Sequence, residues 1–262
     1  MKKLSFMLLS LLAVTMFTAC NNDDDETARK QTITSPMNCR VVDASDGSVV
    51  FSQNTAKVEL NYTDMTINFT CNYKDLNGQT QVFTSPVMKL SLEKGSVYRI
   101  ETVGGQVIST NGWIDMSTGM MWYKTSDSEE GTVLVMTTHL LYAYTTTTMT
   151  NTENGNHGSH DQSAYLFALD TKGETCIMKI YNFISNLNAA IDAAEVQYEG
   201  LTVTPTGTGY TITASEVESN YKGFYKLTDV NFTLNEQCLV TSGSFKCNGL
   251  EYTVSGQLFP LN

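Results

Sequence analysis

Short runs of alternating apolar and polar residues, separated by turn residues, make up most of this chain. Clear runs are 57–62, 65–70, 87–92 and 224–234. A period of two places the apolar side chains of each run on one face of a strand. Glycine-containing turns punctuate the runs at roughly hairpin intervals, at Asp46-Gly47, Asn77-Gly78, Lys94-Gly95, Asn111-Gly112 and Thr118-Gly119. The pattern predicts an all-β fold of antiparallel barrel or sandwich units.

The composition agrees with an all-β fold, and the net charge excludes one class of binding partner. Hydrophobic residues make up 41% of the chain and charged residues 16%, which supplies apolar material for one large or two small cores. The formal net charge is −11. A net negative protein has no electrostatic route to a phosphate backbone, so nucleic acid is not expected as a partner.

The chain is predicted to contain two related β halves. The segment 151–161 is polar and has no apolar period, so it is interpreted as an exposed linker between an N-terminal β unit at 36–150 and a C-terminal β unit at 162–262. Three strands of the first half are echoed loosely in the second, which favours a duplication. The matched segments are 58–62 with 178–183, 84–90 with 200–206, and 96–100 with 209–213.

One segment allows a single short helix. Within 184–196, Ile184, Leu187, Ile191 and Ala194 fall on one helical face, and alanine favours helix. The duplication would instead make part of this segment strand, so at most one short helix is predicted.

The N-terminus has the layout of a secretory signal peptide. Lys2 and Lys3 precede the apolar run 4–17, and Thr18-Ala19-Cys20 closes the segment with small residues. The run is short for a permanent membrane span and is interrupted by polar residues, so a cleaved signal over 1–19 is expected.

The junction 17–20 resembles the lipobox of bacterial lipoproteins. The resemblance implies that Cys20 is diacylated, becomes the new N-terminus and anchors the chain in a membrane. The acidic cluster 21–26 looks like the export signal of Bacteroidetes-type surface-exposed lipoproteins, which implies an acylated cysteine and acidic tether over 20–35 at the outer membrane, facing the cell exterior. The alternatives are an ordinary secreted protein and a merely solvated tether.

The C-terminal strands resemble a known barrel family. From about 179 to 259 the meander is similar to calycin-like lipoproteins, a lipocalin-related β-barrel family. This resemblance implies a barrel and the binding of a small or apolar ligand. The N-terminal half departs from a single-barrel member, so the number of barrels or sandwiches stays open.

Five cysteines follow Cys20, so at least one stays unpaired within the chain. If Ser242-Gly243 is a two-residue turn, Cys238 faces Cys247 as a non-hydrogen-bonded pair with Cα atoms about 4.5 Å apart, at the near edge of disulfide range. The pair is therefore a candidate disulfide, and the alternative is two buried thiols.

Catalytic and metal-binding motifs are not evident. His157, His160 and Asp161 lie in the expected linker, and His139 precedes them on a strand. A glycine-flanked loop gives neither a rigid frame nor supporting contacts for a metal, so no metal and no cofactor are predicted. The segment 206–209 reads as a turn, a serine nucleophile elbow is missing, and the carboxylates are scattered. An enzyme is not expected.

One hairpin concentrates aromatic residues. A three-residue loop at 117–119 would place Ile114 beside Trp122 and Trp113 beside Tyr123, with apolar residues on both faces. Burial in a core is the default interpretation. The functional interpretation is a cavity lining or sugar-stacking platform, formed by Trp113, Trp122, Tyr123, Tyr142 and Tyr144.

Three functions compete at this point. The leading hypothesis is a non-enzymatic outer-membrane surface lipoprotein that binds a small or apolar ligand. The others are a carbohydrate-binding accessory lipoprotein and a fimbrial or adhesive subunit. Closed barrels with a lumen would favour the first, an exposed coplanar aromatic row the second, and an incomplete sheet with a displaceable terminal strand the third.

Overall fold

The computed structural model describes residues 30–102, 111–117, 119–127, 129–138, 140–160, 163–187, 190–237 and 239–256. Within them, eighteen strands and no helix are found, and every strand pairing is antiparallel, which confirms the all-β prediction. None of these residues belongs to a helix long and apolar enough to span a membrane. The chain divides into two compact units, 1–139 and 140–262.

The first unit is a closed up-and-down barrel. Its sheet runs β2-β1-β9-β8-β7-β6-β5-β3, and the β2–β3 pairing closes the ring of eight strands, while short β4 pairs with β3. Each strand of the ring pairs with its neighbours in sequence, apart from the β1–β9 pair and the β3–β5 pair, which leaves short β4 outside the ring. The strands are β1 (Lys30–Asp43), β2 (Val49–Asn61), β3 (Thr66–Lys74), β4 (Thr80–Thr84), β5 (Met88–Lys94), β6 (Val97–Thr102), β7 (Asn111–Asp115), β8 (Met121–Asp127) and β9 (Thr132–Thr138).

The second unit has the same ring order. Its sheet runs β10-β12-β13-β14-β15-β16-β17-β18, and the β10–β18 pairing closes it, while short β11 pairs with β10. The strands are β10 (Leu140–Asn151), β11 (His157–His160), β12 (Ala164–Leu169), β13 (Thr175–Phe183), β14 (Ala193–Thr206), β15 (Gly209–Val217), β16 (Leu227–Asn235), β17 (Val240–Cys247) and β18 (Leu250–Gly256).

Period-two alternation puts apolar side chains inside each barrel. In β3, Ile67, Phe69 and Cys71 are buried while the residues between them are partly exposed. Aliphatic, methionine and cysteine side chains from the other ring strands fill the same interior. Both faces of β1 are buried from Met37 to Val42, so the pattern there is continuous instead of alternating.

Aromatic rings fill the second barrel. Phe232 lies 5.3 Å from Phe167 and 5.5 Å from Tyr165, measured between ring centroids, and Phe245 stacks on Tyr252 at 4.4 Å. The tyrosine hydroxyl of Tyr252 donates to the Ile184 carbonyl, so its buried polar group is satisfied.

The expected linker is part of the second barrel. Strand β10 extends to Asn151, and β11 covers 157–160. The boundary between the two units along the sequence is therefore at 139/140 and not within 151–161. Likewise β1 begins at Lys30, inside the expected tether of 20–35. Among the described residues of 184–196 no helix forms, and β14 begins at Ala193, as the duplication required. A polar segment such as 157–160 can form a strand, because strand pairing uses backbone hydrogen bonds and does not require apolar side chains.

Two predicted turns are strand instead. Gly112 lies in β7 and Gly243 in β17, which runs without a turn from Val240 to Cys247. The observed turn comes at Asn248-Gly249, between β17 and β18. Other turns are confirmed: Gly78 has φ +75° and its N–H donates to the Asp75 carbonyl.

Candidate functional site

A cavity of about 140 Å³ lies at one end of the first barrel. It is bounded by the first half of β1, the end of β2, the β7–β8 hairpin and the end of β9. Inward-facing positions of successive strands converge here because the ring is closed. The lining residues are Gln31, Ile33, Ser35, Met37, Val58, Leu60, Tyr62, Ile114, Met116, Gly119, Met121 and Thr138.

The floor of the cavity is apolar and its mouth is polar. Met37, Leu60 and Met121 are buried, whereas Gln31 and Ser35 are partly exposed. At the mouth the Tyr62 hydroxyl donates to Gln31 Oε1 at 2.6 Å. Burial raises the pKa of Tyr62, so the phenol stays a neutral donor near neutral pH.

None of the lining residues carries a charge or a thiol. The arrangement therefore offers shape and apolar contact with a few neutral hydrogen-bonding groups, and its lining holds no carboxylate, imidazole, amine or thiol. A neutral apolar ligand or ligand end fits this chemistry, whereas an anion would be left without a countercharge.

The three predicted aromatic residues whose side chains are described are not in this lining. Trp113, Trp122 and Tyr123 are 8%, 3% and 1% exposed. Tyr123 belongs to the barrel interior, where its ring meets Phe69 edge-on at 4.9 Å. The three side chains are buried, as the default interpretation expected, and form no exposed platform. The side chains of Tyr142 and Tyr144, on β10, lie outside the described residues.

The β7–β8 hairpin still contributes residues to the cavity lining, but its two strands pair in a register that differs from the predicted one. Asp115 N–H donates to the Met120 carbonyl at 2.9 Å, so the loop is one residue longer than predicted. Trp113 then pairs with Trp122, and Ile114 with Met121. Because a shift of one residue exchanges the two faces, Ile114 and Met121 line the cavity and the tryptophans lie on the other face.

The structure does not contain the turn on which the predicted Cys238–Cys247 disulfide depended. Cys247 is a free, buried thiol at the far end of β17, opposite Leu250, and Cys238 lies outside the described residues. The hairpin that would have set the two cysteines opposite each other is replaced by a continuous strand, so the geometric reason for that disulfide is wrong. The structure instead brings together Cys39 and Cys71, whose Sγ atoms are 3.6 Å apart.

The predicted histidine motif is described only in part. His157 is exposed on β11, whereas the side chain of His160 and all of His139 and Asp161 lie outside the described residues. Throughout the described part of the chain, no three histidine, cysteine, aspartate or glutamate side chains are close enough to hold a metal ion.

Comparison with known proteins adds little about function. No protein-family model matches the chain, and no curated protein matches it. A solved structure that matches is that of the isotype 1 transferrin binding protein B (TbpB) from serogroup B Neisseria meningitidis. The match has 10% sequence identity and a TM-score of 0.28, and it covers 87% of this chain and 77% of that one. We therefore infer function from the residues of this chain.

Proposed function

We propose that this chain is a non-enzymatic, lipid-anchored protein of the cell surface whose first barrel binds a small, neutral, apolar ligand. The observation that supports binding is the uncharged cavity at the end of that barrel. Barrel closure favours this function over an adhesive subunit, because β1 pairs on both sides, with β2 and β9, and is not a displaceable strand. The buried tryptophans give no support to a sugar-stacking platform.

The size of the cavity limits the ligand. Drug-sized ligands occupy sites of roughly 300–1,000 Å³, whereas a cavity of about 150 Å³ holds one benzene-sized molecule. The cavity of about 140 Å³ therefore suits a single ring or a short alkyl segment. Binding of so few atoms is expected to be weak, with a Kd of about 0.1–1 mM.

Ser35→Leu is the direct test of this cavity. Leucine adds apolar atoms to a lining position on β1, so toluene and 1-hexanol should bind the wild-type chain and lose at least about tenfold in affinity for the variant, because the space is filled. Ligand-observed NMR with saturation transfer measures Kd values in the expected range. Benzoate should not bind, since no lining residue carries a positive charge.

Thr34→Leu is the matched control. Thr34 is adjacent on β1 but exposed, and it is not among the lining residues. Its leucine variant should bind toluene as the wild type does. Equal toluene affinity in both leucine variants and the wild type would show that toluene binds elsewhere.

The lipid anchor is tested separately at Cys20. Radiolabelled palmitate should enter the mature chain and should be lost in Cys20→Ser, because the acylated sulfur is removed. Protease treatment of intact cells should then degrade the wild-type chain if it faces the exterior. Palmitate that labels the Cys20→Ser chain equally would contradict the proposed anchor.

A further inference from the structure

Two thiols meet inside the first barrel. Cys39 on β1 and Cys71 on β3 are 0% and 1% exposed, and their Sγ atoms are 3.6 Å apart. Both strands flank β2, in which Ser52 pairs with Cys39 and Ala56 pairs with Cys71. The two side chains thus reach each other across the inner face of β2, from strands that the sequence separates by 32 positions.

The hydrogen bonds make the two thiols unequal. The two Sγ atoms are within hydrogen-bonding distance of each other, with either thiol as donor, and both S–H groups also reach the Asn72 carbonyl, at 3.2 Å from Cys71 and 3.8 Å from Cys39. The contact with Cys39 holds the pKa of Cys71 below its ordinary value. The same contact and burial raise the pKa of Cys39. Cys71 is therefore the thiol that ionises first, and a thiolate is the reactive species in disulfide exchange.

We propose that Cys39 and Cys71 are a modification site at which an intrachain disulfide joins β1 to β3 inside the first barrel. The sulfurs need to approach by about 1.5 Å to reach the S–S bond length of about 2.05 Å. The bond lies one inward-facing position from Met37, at the floor of the cavity. This inference rests on the proposed function, which places the chain outside the cell, because disulfides persist in oxidising compartments.

The oxidant is a small disulfide or an exported protein disulfide. The Cys71 thiolate attacks one of its sulfurs, breaks that S–S bond and releases one thiolate. Cys39 then loses its proton and attacks the Cys71 sulfur of the mixed disulfide, which releases the second thiolate. Two electrons and two protons pass from the cysteine pair to the oxidant, which becomes two thiols. Since both cysteines are buried, exchange proceeds during folding or through local opening of the barrel.

Tryptic mapping tests the pair without ambiguity. Cleavage after lysine and arginine places Cys39 on peptide 31–40, Cys71 on 58–74, Cys176 on 173–179, Cys238 on 227–246 and Cys247 on 247–262. The full chain is equilibrated in glutathione redox buffers, both when native and during refolding from urea, and is then alkylated, digested and analysed by mass spectrometry.

A linked pair of 31–40 with 58–74 is the expected product. It should form at a glutathione potential at which the chain kept in urea is about tenfold less oxidised, because folding holds the two sulfurs together. Cys39→Ser and Cys71→Ser should each abolish it, and Cys176→Ser should leave it unchanged, since Cys176 lies in the second barrel.

Two results would overturn the proposal. One is a chain that folds and yields no linked 31–40 and 58–74 peptides under either protocol. The other is random pairing among the five peptides in the folded chain. Toluene binding measured on the same samples is independent of both results, so failure of the disulfide is distinguishable from failure of the ligand site.

Discussion

Gly243 is the position at which one added carbon should disturb the second barrel most clearly. A Cβ built on Gly243 lies 2.4 Å from both Cδ1 and Cε1 of Phe232. Carbon atoms in contact are normally about 3.5–4.0 Å apart. Gly243→Ala therefore requires the ring of Phe232, its cross-strand partner, to move by more than about 1 Å.

The ring has little room to move. Its centroid is within 5.3–6.2 Å of the rings of Phe167, Tyr165 and Phe245. Overpacking of a core costs about 1–3 kcal/mol, and we expect the upper end, about 3 kcal/mol. For a unit of this size the loss corresponds to roughly 10 °C in Tm.

A double-mutant cycle with Phe232→Leu tests whether the lost stability comes from the contact between the new methyl group and the ring of Phe232. Leucine removes the ring that meets the new methyl group, so the combined variant should lose less stability than the two single variants together, with a coupling of about 1.5–2 kcal/mol. Ser242→Ala is the control, because Ser242 is the exposed neighbour on β17 and should change stability by less than about 0.5 kcal/mol.

Stability of the second barrel is measured by peptide-resolved hydrogen exchange across a urea series, with peptides from β16 to β18. Tryptophan fluorescence cannot serve, because Trp113 and Trp122 are the chain's two tryptophans and both lie in the first unit. A Gly243→Ala chain within 0.5 kcal/mol of wild type, or costs that simply add in the cycle, would refute this explanation of the glycine.

Alkaline pH should weaken the second barrel. Burial raises the pKa of Cys176 and of Cys247 to about 12, from an ordinary value of 9.0. Above pH 9 the unfolded chain therefore binds fewer protons than the folded one, and the free energy of unfolding falls by about 3 kcal/mol for the two thiols together by pH 10. Urea denaturation between pH 8 and 10.5 should show the loss, and Cys176→Ala/Cys247→Ala should flatten it; an unchanged slope would contradict the assignment to the thiols. Above pH 10 the buried Tyr165, Tyr198 and Tyr252, whose pKa values burial also raises, should steepen the loss further.

The sequence pattern predicts strands well where burial alternates. Strand β16 shows this: Leu227, Val230, Phe232 and Leu234 are buried, and most positions between them are exposed. The prediction fails at glycines that lie within a strand instead of in a turn. Gly112 lies opposite Tyr123, and Gly243 lies opposite Phe232. In both pairs an aromatic ring covers a glycine within the sheet, an arrangement that the local sequence does not distinguish from a turn.

Features that depend on ring closure could not be predicted from periodicity. Ile33, Met37 and Met121 look like ordinary core residues in the sequence, and they line a cavity only because β1, β2 and the β7–β8 hairpin meet at one end of a closed barrel. The Cys39–Cys71 contact likewise needs β2 between its two neighbours. A local turn argument favoured Cys238 with Cys247 because it considered only residues close in sequence.

The two rings support a duplication more specifically than the sequence echo does. Segment 84–90 runs from the last residue of β4 into β5, and 200–206 lies in β14; β5 and β14 are the fourth strands of their rings. Segment 96–100 overlaps β6, and 209–213 lies in β15; β6 and β15 are the fifth strands. The third matched pair is out of step, because β2 is second in its ring and β13 is third.

The two interiors differ although the rings correspond. Methionine and aliphatic side chains leave a cavity at one end of the first barrel. In the second barrel the linked rings of Phe167, Phe232, Phe245 and Tyr252 pack against one another. Since a scaffold sets strand order and its interior side chains set what can bind, ligand binding in the proposed function belongs to the first barrel. Filling the first cavity with Ser35→Leu should therefore weaken toluene binding by at least about tenfold, while overpacking the second barrel with Gly243→Ala should lower the stability of that barrel.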